Sequence, residues 1–291
     1  MTRMQYSDFL RQLYGCKVQK LNVNAGFSCP NRDGTKGWGG CTYCNNASFT
    51  PAFGRASVSV TQQLLDAKKF YAGRYADMKY LAYFQSFTNT YAPIEKLRKL
   101  YDEALAVDDV IGLVISTRPD CLSDDVLDLL QHFNESHRLM IEIGVETLHD
   151  CTLEFINRCH SWQCAQDAIN RVWQRGLTVG VHLILGLPGE AETDMMATVD
   201  AIAQLPVSTI KFHHLQVLRG TILSQQWERG EVHLMDWSAQ DYAKLCQRII
   251  GRLPERIVVE RMVSTAPSEL LVHPKWGLKP SQFKEIFEKI I

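Results

Sequence analysis

Three cysteines, Cys29, Cys41 and Cys44, fall in one short stretch, Cys29-Pro-Asn-Arg-Asp-Gly-Thr-Lys-Gly-Trp-Gly-Gly-Cys41-Thr-Tyr-Cys44. Biological iron–sulfur clusters are usually held by four cysteines, so three thiolates can bind one and leave an iron free of protein. Cys41 and Cys44 make a C-x-x-C pair, and the interspersed glycines let the backbone wrap tightly round a bulky inorganic core. The same residues also admit a structural zinc, with Cys16 as a fourth ligand and no His in the loop, or a thiol redox pair.

Polar residues recur farther along, each time just after an apolar run. The first such set is Gln85-Ser86-Phe87-Thr88-Asn89-Thr90. The next is Ser116-Thr117-Arg118-Pro119-Asp120, whose Arg can clamp a carboxylate through two parallel hydrogen bonds. The run Met140-Ile-Glu142-Ile-Gly-Val-Glu146 carries two acids on one face of a strand. Two unpaired carboxylates on an apolar layer would be costly, so an inward polar site is expected. Asn157, Arg158 and His160 follow, then His182-Leu-Ile-Leu-Gly186-Leu-Pro-Gly189-Glu190, then Lys211, His213, His214 and Gln216. By alternation Lys211 and His213 share a face.

The elements that must position these residues alternate in type. Apolar, β-branched runs predict strands near 18–23, 80–85, 110–116, 139–145, 177–185 and 208–215. Helical periodicity predicts helices near 61–73, 94–106, 123–133, 161–175, 191–204 and 238–253. Ser161 and Ser238 stand where N-caps belong, and Ser123 opens a further helix. Such alternation implies parallel strands in an α/β fold. Six units fit a partial (β/α)6 TIM-type barrel or an open doubly wound sheet, and in both the ligand sits at the carboxyl ends of the strands. The cysteine loop, residues 24–48, follows the first strand at that end. A strand near 256–261 and a helix near 281–290 form a short C-terminal extension. The organisation is therefore a core over 1–255 with 256–291 packed on it.

Composition bounds the rest. The 291 residues are 46% hydrophobic and 22% charged, the balance of an ordinary globular protein. No apolar run is long enough to span a membrane, and the first residues lack a signal-peptide core, so the expected location is cytoplasmic. Nine cysteines is an odd count and argues against a disulfide framework. A net charge of −1 gives no overall attraction to nucleic acid or membrane. The first 60 residues, however, hold seven Lys and Arg against two acids, which suggests either a basic rim round the cysteine loop or a solvated face.

Taken together, the sequence resembles the radical S-adenosylmethionine (SAM) enzymes, and within them the YhcC/YtqA group related to the catalytic subunit of Elongator. The matching stretches are Cys29-Pro-Asn-Arg-Asp-Gly-Thr, Gly39-Gly40-Cys41-Thr-Tyr-Cys44-Asn-Asn, Thr117-Arg118-Pro119-Asp120, Glu142-Ile-Gly-Val-Glu146-Thr, Ile156-Asn-Arg158-Cys-His160, Gly186-Leu-Pro-Gly189-Glu190 and Glu269-Leu-Leu-Val-His-Pro-Lys275-Trp276. The eleven-residue gap between the first two cysteines is longer than the spacing usual in the superfamily and is shared with this branch.

The resemblance implies that Cys29, Cys41 and Cys44 bind a [4Fe–4S] cluster whose open iron chelates SAM, and that SAM is cleaved to a 5′-deoxyadenosyl radical. It makes Arg118 and Arg158 candidates for the SAM carboxylate, and Glu142 and His182 candidates for further polar contacts. Gly186 would approach the adenine. Gln85 and Ser86 fall where relatives carry a Gly-Gly-Glu motif that this chain lacks. Glu146, Lys211 and His213 are the candidates to face substrate. The implied partners are a one-electron reductant such as flavodoxin or ferredoxin and, from kinship with Elongator, tRNA modified at a wobble uridine. A small-molecule or protein substrate, and a non-catalytic zinc-stabilised binding module, are the competing readings. Cys151, Cys159 and Cys164 lack a C-x-x-C pair, and burial as small apolar groups is their expected role.

Overall fold

In the computed structural model, which describes residues 3–48, 56–71 and 78–290, seven parallel strands form one sheet. They are β1 (Val18–Val23), β2 (Lys79–Phe84), β3 (Val110–Thr117), β4 (Arg138–Glu146), β5 (Thr178–Leu185), β6 (Thr209–His214) and, at the far edge, β8 (Val258–Arg261). A small antiparallel pair, β7 (Val217–Leu218) and β9 (Leu271–His273), lies outside it. Strand order follows chain order. Right-handed crossovers then carry the connecting helices to one face, and the sheet curls round the other as a partial barrel.

The crossover helices are α2 (Val60–Tyr71), α3 (Ile94–Leu105), α4 (Asp124–Ser136), α6 (Trp162–Gln174), α7 (Glu192–Ala203) and α9 (Ala239–Arg252). Ser123, Ser161 and Ser238 each accept a hydrogen bond from the backbone N–H three residues on, as capping predicts. The predicted strands and helices all form, with ends shifted by three residues at most; residues 72 and 73, the expected end of α2, lie outside the described residues. The extension contributes β8 and α10 (Pro280–Glu288).

Three helices were not anticipated: α1 (Tyr6–Tyr14), α5 (Asp150–Phe155) and α8 (Ile222–Glu228). The first matters most. Leu10 packs on Leu81, Val114 and Met140, with Tyr6, Phe9, Leu13 and Tyr14 around them. These strand residues point to the barrel interior, so α1 plugs its amino-terminal end. Arg3 fastens the plug, donating hydrogen bonds to the carbonyls of Ile250, Leu253, Pro254 and Ile257. These bonds tie the segment before α1 to the end of α9 and the turn into β8.

Above the plug the interior turns ionic. Lys20 of β1 reaches Glu142 of β4 and Glu260 of β8, both at 2.8 Å. Lys211 of β6 reaches the same two carboxylates at 2.6 and 3.1 Å. Two ammonium groups thus balance two carboxylates, and Lys20–Glu260 clasps the two edge strands of the sheet. The Tyr83 ring lies under both ammonium groups, with its hydroxyl on Glu142 at 2.7 Å.

Breaking a buried ion pair on one side strands its partner at a cost of about 3–5 kcal/mol. Lys211→Met is therefore expected to lose stability on that scale in urea unfolding. Lys211→Met combined with Glu260→Gln should recover part of it. A loss below about 1 kcal/mol in the single variant would contradict the clasp.

Candidate functional site

The floor of the site is Glu142, 1% exposed. Besides the two lysines it accepts hydrogen bonds from Tyr83, Ser116 and His182, the last at 3.0 Å. Gly180 stands beside Glu142 in the register and leaves the space its side chain fills. Burial alone would raise the Glu142 carboxyl, but Lys20, Lys211 and His182 outweigh it and hold it well below the usual range. His182 lies close enough to Glu142 for an ion pair. Burial and then Lys211 lower its pKa, however, so the contact is a neutral imidazole N–H donating to a carboxylate.

Over this floor opens a cavity of about 190 Å³ at the carboxyl ends of the strands. Its walls carry three guanidinium groups, those of Arg32, Arg118 and Arg158. Arg118, 2% exposed, is clamped by Asp120 through Nε and Nη2, both at 2.9 Å, and Nη2 also donates to the Arg158 carbonyl. Its Nη1 is buried with no partner among the described residues. Burial opposes ionisation of Asp120, but Arg118 and Lys36 prevail and lower it to about 2. Arg158 lies 3.0 Å from Glu146, donates to the Gly144 carbonyl at 2.7 Å and points Nη1 at the Cys41 sulfur from 3.5 Å. A side chain at residue 144 would collide with both Arg158 and Glu146.

Cys29, Cys41 and Cys44 all line this cavity. None of the nine cysteines is in a disulfide. The loop is docked by the segment after α5. Asn157 donates to the carbonyls of Trp38 and Gly40, Thr42 donates to the Ile156 carbonyl, and Asn31 donates to the Asn157 carbonyl. Further amide donors meet the sulfurs, Asn31 at Cys41 (3.7 Å) and Asn46 at Cys44 (3.6 Å). Such donors stabilise thiolates and metal-bound sulfur. Among the described residues, no three His, Cys, Asp or Glu side chains are grouped so as to hold a single metal ion. Phe87, Glu146, Asn157 and Cys159, all round this site, have left-handed backbones with φ of 64°, 70°, 54° and 58°. Non-glycine residues adopt that conformation only where their surroundings impose it.

Of the residues singled out in the sequence, the three cysteines, Gln85, Arg118, Glu142, Glu146, Arg158, His182 and His213 line one cavity. Three do not. Lys211 is 3% exposed and spent on Glu142 and Glu260, beneath the cavity rather than facing a substrate. Gly186 faces Trp237, where an ideal Cβ would stand 2.8 Å from the ring, and borders a separate small pocket. Ser86 is buried outside the lining.

Among the described residues, the basic residues of the first 60 do not gather into one rim, although Arg32 lines the cavity. Arg3 and Lys20 are tied inside, Lys36 is paired with Asp120, Arg32 donates to the Cys44 carbonyl, and Arg11 and Lys17 lie on or beside the plug at the opposite end. Arg55 lies outside the described residues. The sequence reading missed Lys20 and Glu260. Their signal was a charge on a strand at a position whose neighbours, such as Leu21 and Val23, pack under the helices.

Comparison with known proteins follows the geometry. A model of the Radical SAM superfamily matches residues 29–202, and one of the Radical_SAM C-terminal domain matches 207–291. YtqA of Bacillus subtilis (strain 168) is 41% identical over 269 residues, which cover 92% of this chain and 83% of that protein. The tRNA uridine(34) acetyltransferase of Methanocaldococcus jannaschii is 24% identical over 182 residues, 62% of this chain but 32% of its own length. Among solved structures, Methanocaldococcus infernus Elp3 with an N-terminal deletion shares the fold at a TM-score of 0.69 and 17% identity, over 94% of this chain and 62% of that one.

One consequence of burial is measurable without any ligand. Burial first, and then Arg261, lowers the His214 pKa to about 3. The unfolded chain therefore binds a proton there below about pH 6.5 that the folded chain refuses, and stability falls as pH drops from 7 toward 4. His214→Gln should flatten that slope by up to about 1.4 kcal/mol per pH unit, read by denaturant unfolding at stepped pH. An unchanged slope would show that His214 is charged in the fold.

Proposed function

The chain belongs to the radical SAM superfamily of enzymes, and from that premise we propose that it holds a [4Fe–4S] cluster on Cys29, Cys41 and Cys44 and reductively cleaves SAM in the cavity above Glu142. One observation carries the reading: three thiols, amide and guanidinium donors aimed at their sulfurs, and an unpartnered Arg118 Nη1 belong to a single cavity. The superfamily model that begins at Cys29 favours a multi-iron core over one tetrahedral zinc. When bound, the cluster supplies the electron that splits SAM into methionine and a 5′-deoxyadenosyl radical.

The chain's own residues bind, orient and shield. Arg118 takes the SAM carboxylate through Nη1, held in place by Asp120. Arg158 offsets cluster charge at Cys41, and Glu146 fixes that guanidinium. His182 stays neutral and presents its ring to the cavity while Nε2 is anchored on Glu142. Gln85 and His213 complete the polar lining. Residues 1–255 form the core, and 256–291 extend it through β8. No described helix is long and apolar enough to cross a membrane; nine unpaired thiols suit a reducing, cytoplasmic setting, where flavodoxin or ferredoxin would serve as reductant.

For substrate, the similarity to the tRNA uridine(34) acetyltransferase supports a wobble uridine of tRNA. A small molecule or protein is the second reading, favoured by the engagement of Arg3, Lys20 and Lys36 in contacts within the fold. Binding of tRNA that weakens steeply with salt would favour the first.

The test is anaerobic reconstitution with iron and sulfide, then SAM and dithionite, with 5′-deoxyadenosine measured by chromatography. Wild type should yield it and Cys41→Ala should not. Arg118→Gln should weaken SAM binding roughly 10- to 100-fold, the scale of a charge-assisted hydrogen bond. A protein that takes up zinc but no iron would overturn the proposal.

A further inference from the structure

We infer that Arg261, together with His213 and Ser264, forms a subsite at the β6–β8 end of the cavity for an anionic group of the substrate, a carboxylate or a phosphate. The inference rests on reading this cavity as the place where SAM and substrate meet.

The pairing of β6 with β8 carries a register irregularity. Ile210 pairs with Val259 and Lys211 with Arg261, so Glu260 is an extra residue in β8. A bulge of this kind lets consecutive side chains face the same side. Glu260 turns in to Lys20 and Lys211, and Arg261 turns in to His213. The bulge therefore places a guanidinium one step beyond the ionic layer on the last strand, against His213, which lines the cavity, while Arg261 itself stands behind the lining.

That guanidinium lacks a counter-ion. Its Nη2 lies 3.1 and 3.0 Å from the two ring nitrogens of His213, and its Nε is buried with no partner. No carboxylate among the described residues pairs with it. Glu260, its neighbour in sequence, is already committed to the two lysines. Arg118 and Arg158, which line the cavity, differ, for Arg118 has Asp120 and Arg158 has Glu146; Arg32, also in the lining, pairs with no carboxylate among the described residues and donates to the Cys44 carbonyl. A half-buried cation without an anion is costly, and the cost is recovered when a ligand brings one.

The groups beside Arg261 are those that recognise an oxyanion. Ser264 and His213 line the cavity and share a 2.8 Å hydrogen bond between Oγ and Nδ1. Gln216 and His214 line it next to them. None of the four is an acid that would repel an incoming carboxylate or phosphate. Arg261 supplies a planar fork of donors matched to two anion oxygens, and the hydroxyl of Ser264 can turn to a third.

The test is titration calorimetry of the reconstituted, SAM-saturated protein with inorganic phosphate and, separately, with acetate. Saturable binding of at least one is expected, weakened roughly tenfold or more in Arg261→Gln and less in Arg261→Lys, which keeps the charge. Preference for phosphate would assign a phosphorylated substrate, and preference for acetate a carboxylic acid. Wild type that binds neither anion, or Arg261→Gln that binds as tightly as wild type, would overturn the subsite. Melting temperatures of both variants verify folding. Iron content and 5′-deoxyadenosine formation of the wild type report separately on the radical SAM reading. A wild type that takes no iron yet binds phosphate or acetate through Arg261 would sink that reading and keep the subsite.

Discussion

The structure depends on one buried carboxylate. Glu142 sits at the centre of a curled sheet and is kept ionised by Lys20 from the first strand and Lys211 from the sixth. A lone charge there would be prohibitive, and a single pair would leave oxygen lone pairs unsatisfied. The solution is a neutral set of four charges, with Glu260 from the last strand as the second carboxylate and Tyr83, Ser116 and His182 filling the remaining hydrogen-bond positions. Because the four charges come from β1, β4, β6 and β8, satisfying them fixes the curl of the sheet. The partial barrel is thus held from inside as well as by the apolar layer under its helices.

That arrangement stratifies the interior. Apolar contacts with α1 close one end, the ionic layer forms a floor, and above it the strands release their side chains into a cavity. Because the floor is already satisfied, the polar groups above it can be directed at ligands. Left-handed backbones stand round it at Phe87, Glu146, Asn157 and Cys159, and Phe87 and Asn157 hydrogen-bond to the cysteine loop. Strain of this sort persists only where neighbouring contacts over-determine the backbone.

Much of this was legible in the sequence. The alternation of strands and helices gave the barrel: β-branched residues mark most strands, though not β2, and Ser caps mark three of the crossover helices. The cysteine spacing and the polar residues after each strand gave most of the cavity lining. What escaped was long-range. Nothing local in Val258-Val-Glu-Arg261 announces a bulge, yet the bulge decides that Glu260 and Arg261 both turn inward. Lys211 read as a substrate-facing residue because periodicity gives the face of a strand but not the depth along the barrel. The apparent basic rim dissolved for a similar reason: charges clustered in sequence are spread by the fold over the plug, the interior and the cavity wall. The plug was missed although its signal was local, the spacing of Tyr6, Phe9, Leu10, Leu13 and Tyr14 on one face of a helix.

The central claim is that three thiols and a cavity with an unsatisfied guanidinium form one site, in which a cluster and SAM meet. The most direct measurement is the electron paramagnetic resonance spectrum of the reconstituted, dithionite-reduced protein before and after addition of SAM. The account predicts a reduced [4Fe–4S] signal that changes when SAM binds, and whose response is lost in Arg118→Gln. A cluster signal indifferent to SAM would contradict it, as would a protein that forms no cluster.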